Sequence, residues 1–257
     1  MPTKQIGFDR FIEQAWLDAT AAKVASGAST QEVRDYLWGL LDGILSGKKD
    51  RSARHKTITV LTRIWCPDGQ QGELLRRLAT KQVGTATVPE RLALHWALTI
   101  VAYPFFRDVV NQIGRVTMLQ EDVALAHLYR RMTELYGDRS SVPVAARRVV
   151  RSLVRWGALA DTPDRGVYRR TPPVSIENPY VVEVLLHALV RASDQEALAL
   201  DQVAGHPALF PFRVEPHALR VARMDSLEEH REFGAKYVKL KPVKTDVREK
   251  AQAELEL

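Results

Sequence analysis

Through the first two thirds of the chain, apolar residues return every three or four positions between Gly and Pro breaks. That spacing lines one side of an α-helix, so the chain is constrained to a succession of helices sharing a core. Phe8, Phe11, Ile12, Ala15, Trp16 and Ala19 form the first stripe. Ser29 to Glu32 has capping-box form ahead of Val33, Tyr36, Leu37, Leu40, Leu41 and Ile44, with Gly47 as terminator. A third helix is expected from Ser52 to Trp65, stopped by Pro67, Asp68 and Gly69, and a short one around Leu74 to Leu78. Pro89 opens a strongly apolar helix through Leu92, Leu94, Trp96, Ile100 and Val101. Pro104 is expected to kink or end it, and Phe105, Phe106, Val109, Val110 and Ile113 give another stripe that closes at Gly114. Thr117 and Gln120 resemble a cap before Leu125, Leu128, Tyr129, Met132 and Leu135, and Gly137 closes that helix.

The stretch Ser140 to Trp156, SSVPVAARRVVRSLVRW, carries the chemistry. At about 100° per residue, Arg147, Arg148, Arg151 and Arg155 share one arc, and Ala146, Val149, Val150, Leu153 and Trp156 share the opposite one. With no carboxylate at i+3 or i+4 on this helix to neutralise them, four guanidinium groups on a wet face suit phosphate. Gly157 fits a helix C-cap, Ala158 to Asp161 a short strand, Thr162 to Gly166 a turn, and Val167 to Arg170 the returning strand. Helix, short link, arginine helix and basic hairpin is the order of parts in a winged helix-turn-helix. Arg147 and Arg148, the arginines nearest the helix N-terminus, are candidates for base edges, Arg151 and Arg155 for phosphates, and Ser141 is a further candidate nucleic-acid contact. Arg165, Arg169 and Arg170 are the candidate wing contacts.

Pro172, Pro173 and Pro179 mark a boundary. A helix Val181 to Val190 follows, then a second with Ser193 and Glu196 at capping-box spacing, and short strands at Phe210 to Val214 and Leu219 to Met224. The expected class is mainly α, a multi-helix bundle with a winged-helix-like segment and a small α+β C-terminal module. The expected segments are 1–115, 116–171, 172–241 and a flexible tail 242–257. No internal repeat is visible in the sequence.

The net charge of +6 is unevenly spread. Between Arg130 and Arg170 ten arginines face Glu134, Asp138, Asp161 and Asp164, and between Lys48 and Lys56 five basic residues face Asp50. That concentration favours a polyanionic partner. Lys48, Lys49, Arg51, Arg54 and Lys56 are candidates for a second phosphate contact if they lie on the same side as the arginine helix. A single cysteine, Cys66, excludes an internal disulfide and a cysteine cluster and fits a reducing compartment, so a cytoplasmic location is expected. The longest apolar run, Trp96 to Phe106, is too short for a membrane span. Histidines at 55, 95, 127, 187, 206, 217 and 230 lack i, i+4 pairing, so no metal or other cofactor is expected; His206 and His217 could still meet in space. No nucleophile elbow, phosphate-binding loop or dinucleotide fingerprint is present, and no small-molecule substrate is evident, which argues against an enzyme.

Three segments, Leu45 to Trp65, His95 to Val116 and Ser141 to Leu159, carry a resemblance to the BrxA-like proteins of BREX phage-defence systems. With the helices between them they cover roughly residues 10–170. The resemblance implies a helical, non-enzymatic protein with some likeness to the antitermination factor NusB, binding double-stranded DNA through a basic surface. On that reading Lys48, Lys49, Arg51 and Arg54, with Arg147, Arg148, Arg151 and Arg155, occupy the matching basic segments. Other defence-system proteins are further candidate partners. Two alternatives stay open: a scaffold subunit of a multiprotein complex, and a NusB-like RNA binder.

Overall fold

The computed structural model describes residues 5–47 and 52–242, and the protein is mainly α-helical. Helices α1 (Gln14–Ala25), α2 (Thr30–Leu40), α3 (Ala53–Trp65), α4 (Gln70–Val83) and α5 (Val88–Ala102) form a bundle. The Ser29–Glu32 capping box is present, and Thr87 with Glu90 makes another at α5, where Pro89 sits in the first turn. Every side chain from Leu92 to Ile100 is buried, so α5 is the axis around which the other helices pack. The first stripe begins differently from expectation: Phe8 to Ile12 is not helical and forms an irregular strap, bent at Arg10, ahead of α1. Its Phe8 and Ile12 are nevertheless fully buried, with Phe8 against Tyr103 and Phe106 at ring-centroid distances of 5.4 and 5.3 Å.

Helix α6 (Pro104–Thr117) runs past Gly114, which is not its terminator. A Cβ there would stand 2.1 Å from the carbonyl oxygen of Pro207, so the glycine permits a close approach of two backbones. The chain then forms β1 (Asp122–Ala124), α7 (Leu125–Tyr136), α8 (Ser141–Arg155), β2 (Leu159–Asp161) and β3 (Val167–Arg170). The cap expected at Thr117 and Gln120 is instead the end of α6 and the turn after it, and β1, where the next helix was expected to begin, pairs antiparallel with β3, which also pairs with β2. Helix, strand, two helices and a hairpin, with the last strand central, is the connectivity of a winged helix. The expected cut at 115 passes through α6, its first helix.

After β4 (Val174–Ile176) comes α9 (Pro179–Ala192), buried on all sides from Val181 to Val190 and packed against α5 and α4. β5 (Ala197–Ala199) replaces the helix expected after Ser193 and leads into the one-turn α10 (Leu200–Val203). β6 (Phe212–Val214) pairs parallel with β4, while Leu219 to Met224 holds a short 3-10 turn instead of a strand. A hairpin, β7 (Leu227–Glu232) and β8 (Ala235–Leu240), ends the described chain, with β8 between β5 and β7. This repeats the topology of the winged unit: a helix, a short strand running into a helix, then a hairpin whose second strand is central. The repeat is invisible in the sequence because the place of α8 is taken by β6 and three 3-10 turns among Pro207, Pro211 and Pro216, which cannot supply the amide hydrogens of a long helix. One hydrophobic cluster runs through all three expected segments, joined by the Trp96 indole, which donates to the Ala208 carbonyl at 2.8 Å. The expected tail lies, beyond residue 242, outside the described residues.

Candidate nucleic-acid interface

Helix α8 buries Val142, Ala145, Ala146, Val149, Val150 and Leu153, and turns Ser141, Val144, Arg147, Arg148, Arg151 and Arg155 outward along one row. It ends in a Schellman motif: Gly157 takes φ +73°, its N–H reaches the Val154 carbonyl, and the Ala158 N–H reaches that of Leu153. This turn folds β2 back beside α8. On the other flank the strap is pinned by two buried bonds, the Ile12 N–H to Ser152 Oγ and the Trp156 indole to the Ile12 carbonyl, both 2.9 Å. All four arginines line one shallow cleft of about 350 Å³ with Phe11 and Glu13. They do converge.

Tertiary structure, however, supplies the carboxylates that the helix itself lacks. Arg151 meets Asp161 of β2 at 2.5 Å, and Arg155 meets Glu13 of the strap at 3.1 Å. Arg148 donates to the Asp9 carbonyl and stands 4.0 Å from its carboxylate. Partial burial works against the charge of Arg151, but its hydrogen bonds to Tyr168 and Asp161 and the field of Asp161 outweigh it and raise its pKa. Arg147 is exposed and has no ion-pair partner among the described residues. These pairs lie at the surface, where each is worth only about 0–1 kcal/mol and exchanges readily for another anion.

The wing residues separate into three environments. Arg165 is exposed at the turn between β2 and β3. Arg169 grips Asp122 of β1 with two bonds of 2.8 and 3.0 Å, which holds the Asp122 carboxyl below its usual range. Arg170 corrects the expectation: it donates to the Thr117 carbonyl and lines a different cavity with His206 and Phe210, so it is a joint between the winged unit and the C-terminal module. Of the second basic run, Lys48, Lys49 and Arg51 lie outside the described residues. Arg54 is a second correction. It is only 6% exposed, stacks over Trp38 at 4.8 Å, donates to the Trp38 carbonyl and pairs with Asp42, so it braces α3 against α2. Lys56 and Arg63, about half a turn and two and a half turns beyond Arg54 along α3, are exposed and face a groove shared with the start of α8. Nothing local in the sequence marks Arg63 as a neighbour of α8.

The polar centre that most resembles catalytic machinery is a closed structural knot. His95 accepts from the Trp65 indole at Nδ1 (3.2 Å), so Nε2 carries the proton and donates to Asp18 Oδ1 (3.1 Å), which Arg91 also binds. Burial lowers the pKa of His95 despite Asp18, and both ring nitrogens are occupied. The Cys66 thiol is pushed up by burial, away from thiolate reactivity. His206 and His217 do not meet; they line different cavities. Among the described residues no three His, Cys, Asp or Glu side chains gather as a metal site requires, and no helix is long and apolar enough to cross a membrane.

Compared with protein-family models, curated proteins and solved structures, the chain has no match. The geometry of α8 and its surroundings is therefore the ground for a functional reading.

Proposed function

We propose that this protein binds duplex DNA by laying the outward row of α8 along it, with the β2–β3 turn as wing, as a non-enzymatic component of a BREX-type defence system. The carrying observation is that the third helix of a winged-helix connectivity bears Ser141, Val144, Arg147, Arg148, Arg151 and Arg155 on its exposed side. An α-helix fits the B-form major groove, and its N-terminal residues are those that reach base edges. Of the four arginines, Arg147 and Arg148 lie nearest that end, at the middle of α8, with Ser141 and Val144 on the same row in the turns before them. Arg151 and Arg155 exchange a surface carboxylate for a phosphate, a swap of like for like in energy. The place in phage defence rests on the resemblance of the three segments named above.

The test is retardation of a labelled duplex by wild type and by the Arg147→Ala, Arg151→Ala, Arg155→Ala triple variant, with thermal melting as a folding control. Six phosphate contacts predict a roughly thousandfold loss of affinity between 50 and 200 mM salt for wild type. The triple variant is expected to lose retardation and keep its fold. Equal retardation by both proteins overturns the reading. Stronger competition from structured RNA than from duplex DNA redirects it, because the A-form major groove does not admit a helix.

A further inference from the structure

We propose that the groove between α3 and α8 is a second phosphate-binding surface, over which a duplex seated on α8 continues along α3. This inference rests on the duplex-binding reading of α8 and extends its footprint onto the helical bundle. The groove, about 740 Å³, opens between Lys56, Thr59 and Arg63 on one wall and Ser141 and Arg148 on the other. Arg148 also lines the arginine cleft, so the two surfaces are continuous.

What distinguishes the groove is its counter-charge. Three of the four α8 arginines have a carboxylate within 4.0 Å. Among the described residues, Asp9 is the one acidic side chain lining the groove, and it stands beside Arg148. Lys56 is exposed with no ion partner among the described residues. Arg63 lies over the Tyr103 ring at 5.0 Å, a contact that orients the guanidinium and leaves its N–H donors for an anion. The hydroxyl of Ser141 adds an uncharged donor of the kind that binds phosphate oxygens, while that of Thr59 donates to the His55 carbonyl at 3.0 Å. A phosphate entering here displaces no carboxylate from Lys56 or Arg63, so each contact retains the full gain of counterion release.

The experiment measures affinity for a fluorescein-labelled 24-base-pair duplex by anisotropy across a salt series. It compares wild type, a Lys56→Ala, Arg63→Gln variant and the α8 triple variant. In parallel, the wild type is acetylated at its amines with and without duplex, and protection is read by mass spectrometry at Lys56 against exposed Lys81 of α4. We expect the α3 variant to bind at least tenfold more weakly at 100 mM salt. Its log–log salt slope should be shallower by about 1.8, the value for two lost contacts. Duplex should shield Lys56 and leave Lys81 reactive. Wild-type affinity and slope in the α3 variant, or unshielded Lys56, overturn the groove while loss of binding in the triple variant keeps α8. No salt-dependent binding by wild type overturns both.

Discussion

If α8 meets phosphate, the carboxylates on its arginines are competitors, and removing them should tighten binding. The perturbation is Asp161→Asn with Glu13→Gln, which frees Arg151 and Arg155 and keeps side-chain shape. A carboxylate about 7 Å from a phosphate on the same guanidinium repels it by about 0.6 kcal/mol in a water-like dielectric. Breaking the existing surface pair costs about another 0.5 kcal/mol. Removing both terms is worth about 1 kcal/mol per site, close to fivefold, or about 25-fold for the pair at low salt. At physiological ionic strength the Debye length of about 8 Å roughly halves the Coulomb part, so a gain of about tenfold remains. Anisotropy titrations at 50 and 150 mM salt read both values, and stability should fall by no more than about 1 kcal/mol per pair. Unchanged or weaker binding would refute the reasoning, since the carboxylates would then be orienting the arginines or α8 would not be the interface.

Three further outcomes follow from the packing. His187 is fully buried, with no hydrogen-bond partner at either ring nitrogen among the described residues, and burial with nearby Arg191 pushes its pKa down to about 4. Because the unfolded chain protonates this histidine near 6.5, its contribution is complete above that pH and is lost as pH falls toward 4; urea denaturation should show about 2 kcal/mol less stability at pH 5 than at pH 8, and His187→Leu should flatten that slope. Gly114→Ala places a Cβ against the Pro207 backbone and should cost about 3 kcal/mol, read as a lowered melting temperature, whereas a neutral result would mean that α6 and the 3-10 turn at Pro207 are not in contact. Arg54→Ala should destabilise by about 1–3 kcal/mol through the loss of its buried bonds and leave duplex affinity unchanged; a binding defect at constant stability would restore Arg54 to the interface.

Helices were legible because their signals are local. The capping box at Ser29, Pro89 in a first turn and the two-sided pattern from Val142 to Leu153 each sit within a turn or two of what they specify. Strands set off by turn residues, Ala158 to Asp161 and Val167 to Arg170, were legible too, but others were not. Leu227 to Glu232 reads LEEHRE, with no apolar alternation, and becomes a strand because Ala235 to Leu240 pairs with it; Ala197 to Ala199 is a strand because β8 lies beside it. Likewise Phe8 to Ile12 has helical spacing yet is irregular, the Ile12 backbone bonded to Ser152 and Trp156 some 140 residues away.

The amino-acid order alone determined that α8 would be a rod with one dry and one cationic side, because 3.6-residue periodicity converts spacing directly into direction. The folded chain decided how much of that charge is available: Asp9, Glu13 and Asp161 reach the arginines, Arg54 withdraws into the bundle, and Lys56 and Arg63 arrive beside α8. Coulomb interaction depends on distance through space, and only packing brings segments so far apart in the chain within a few ångströms.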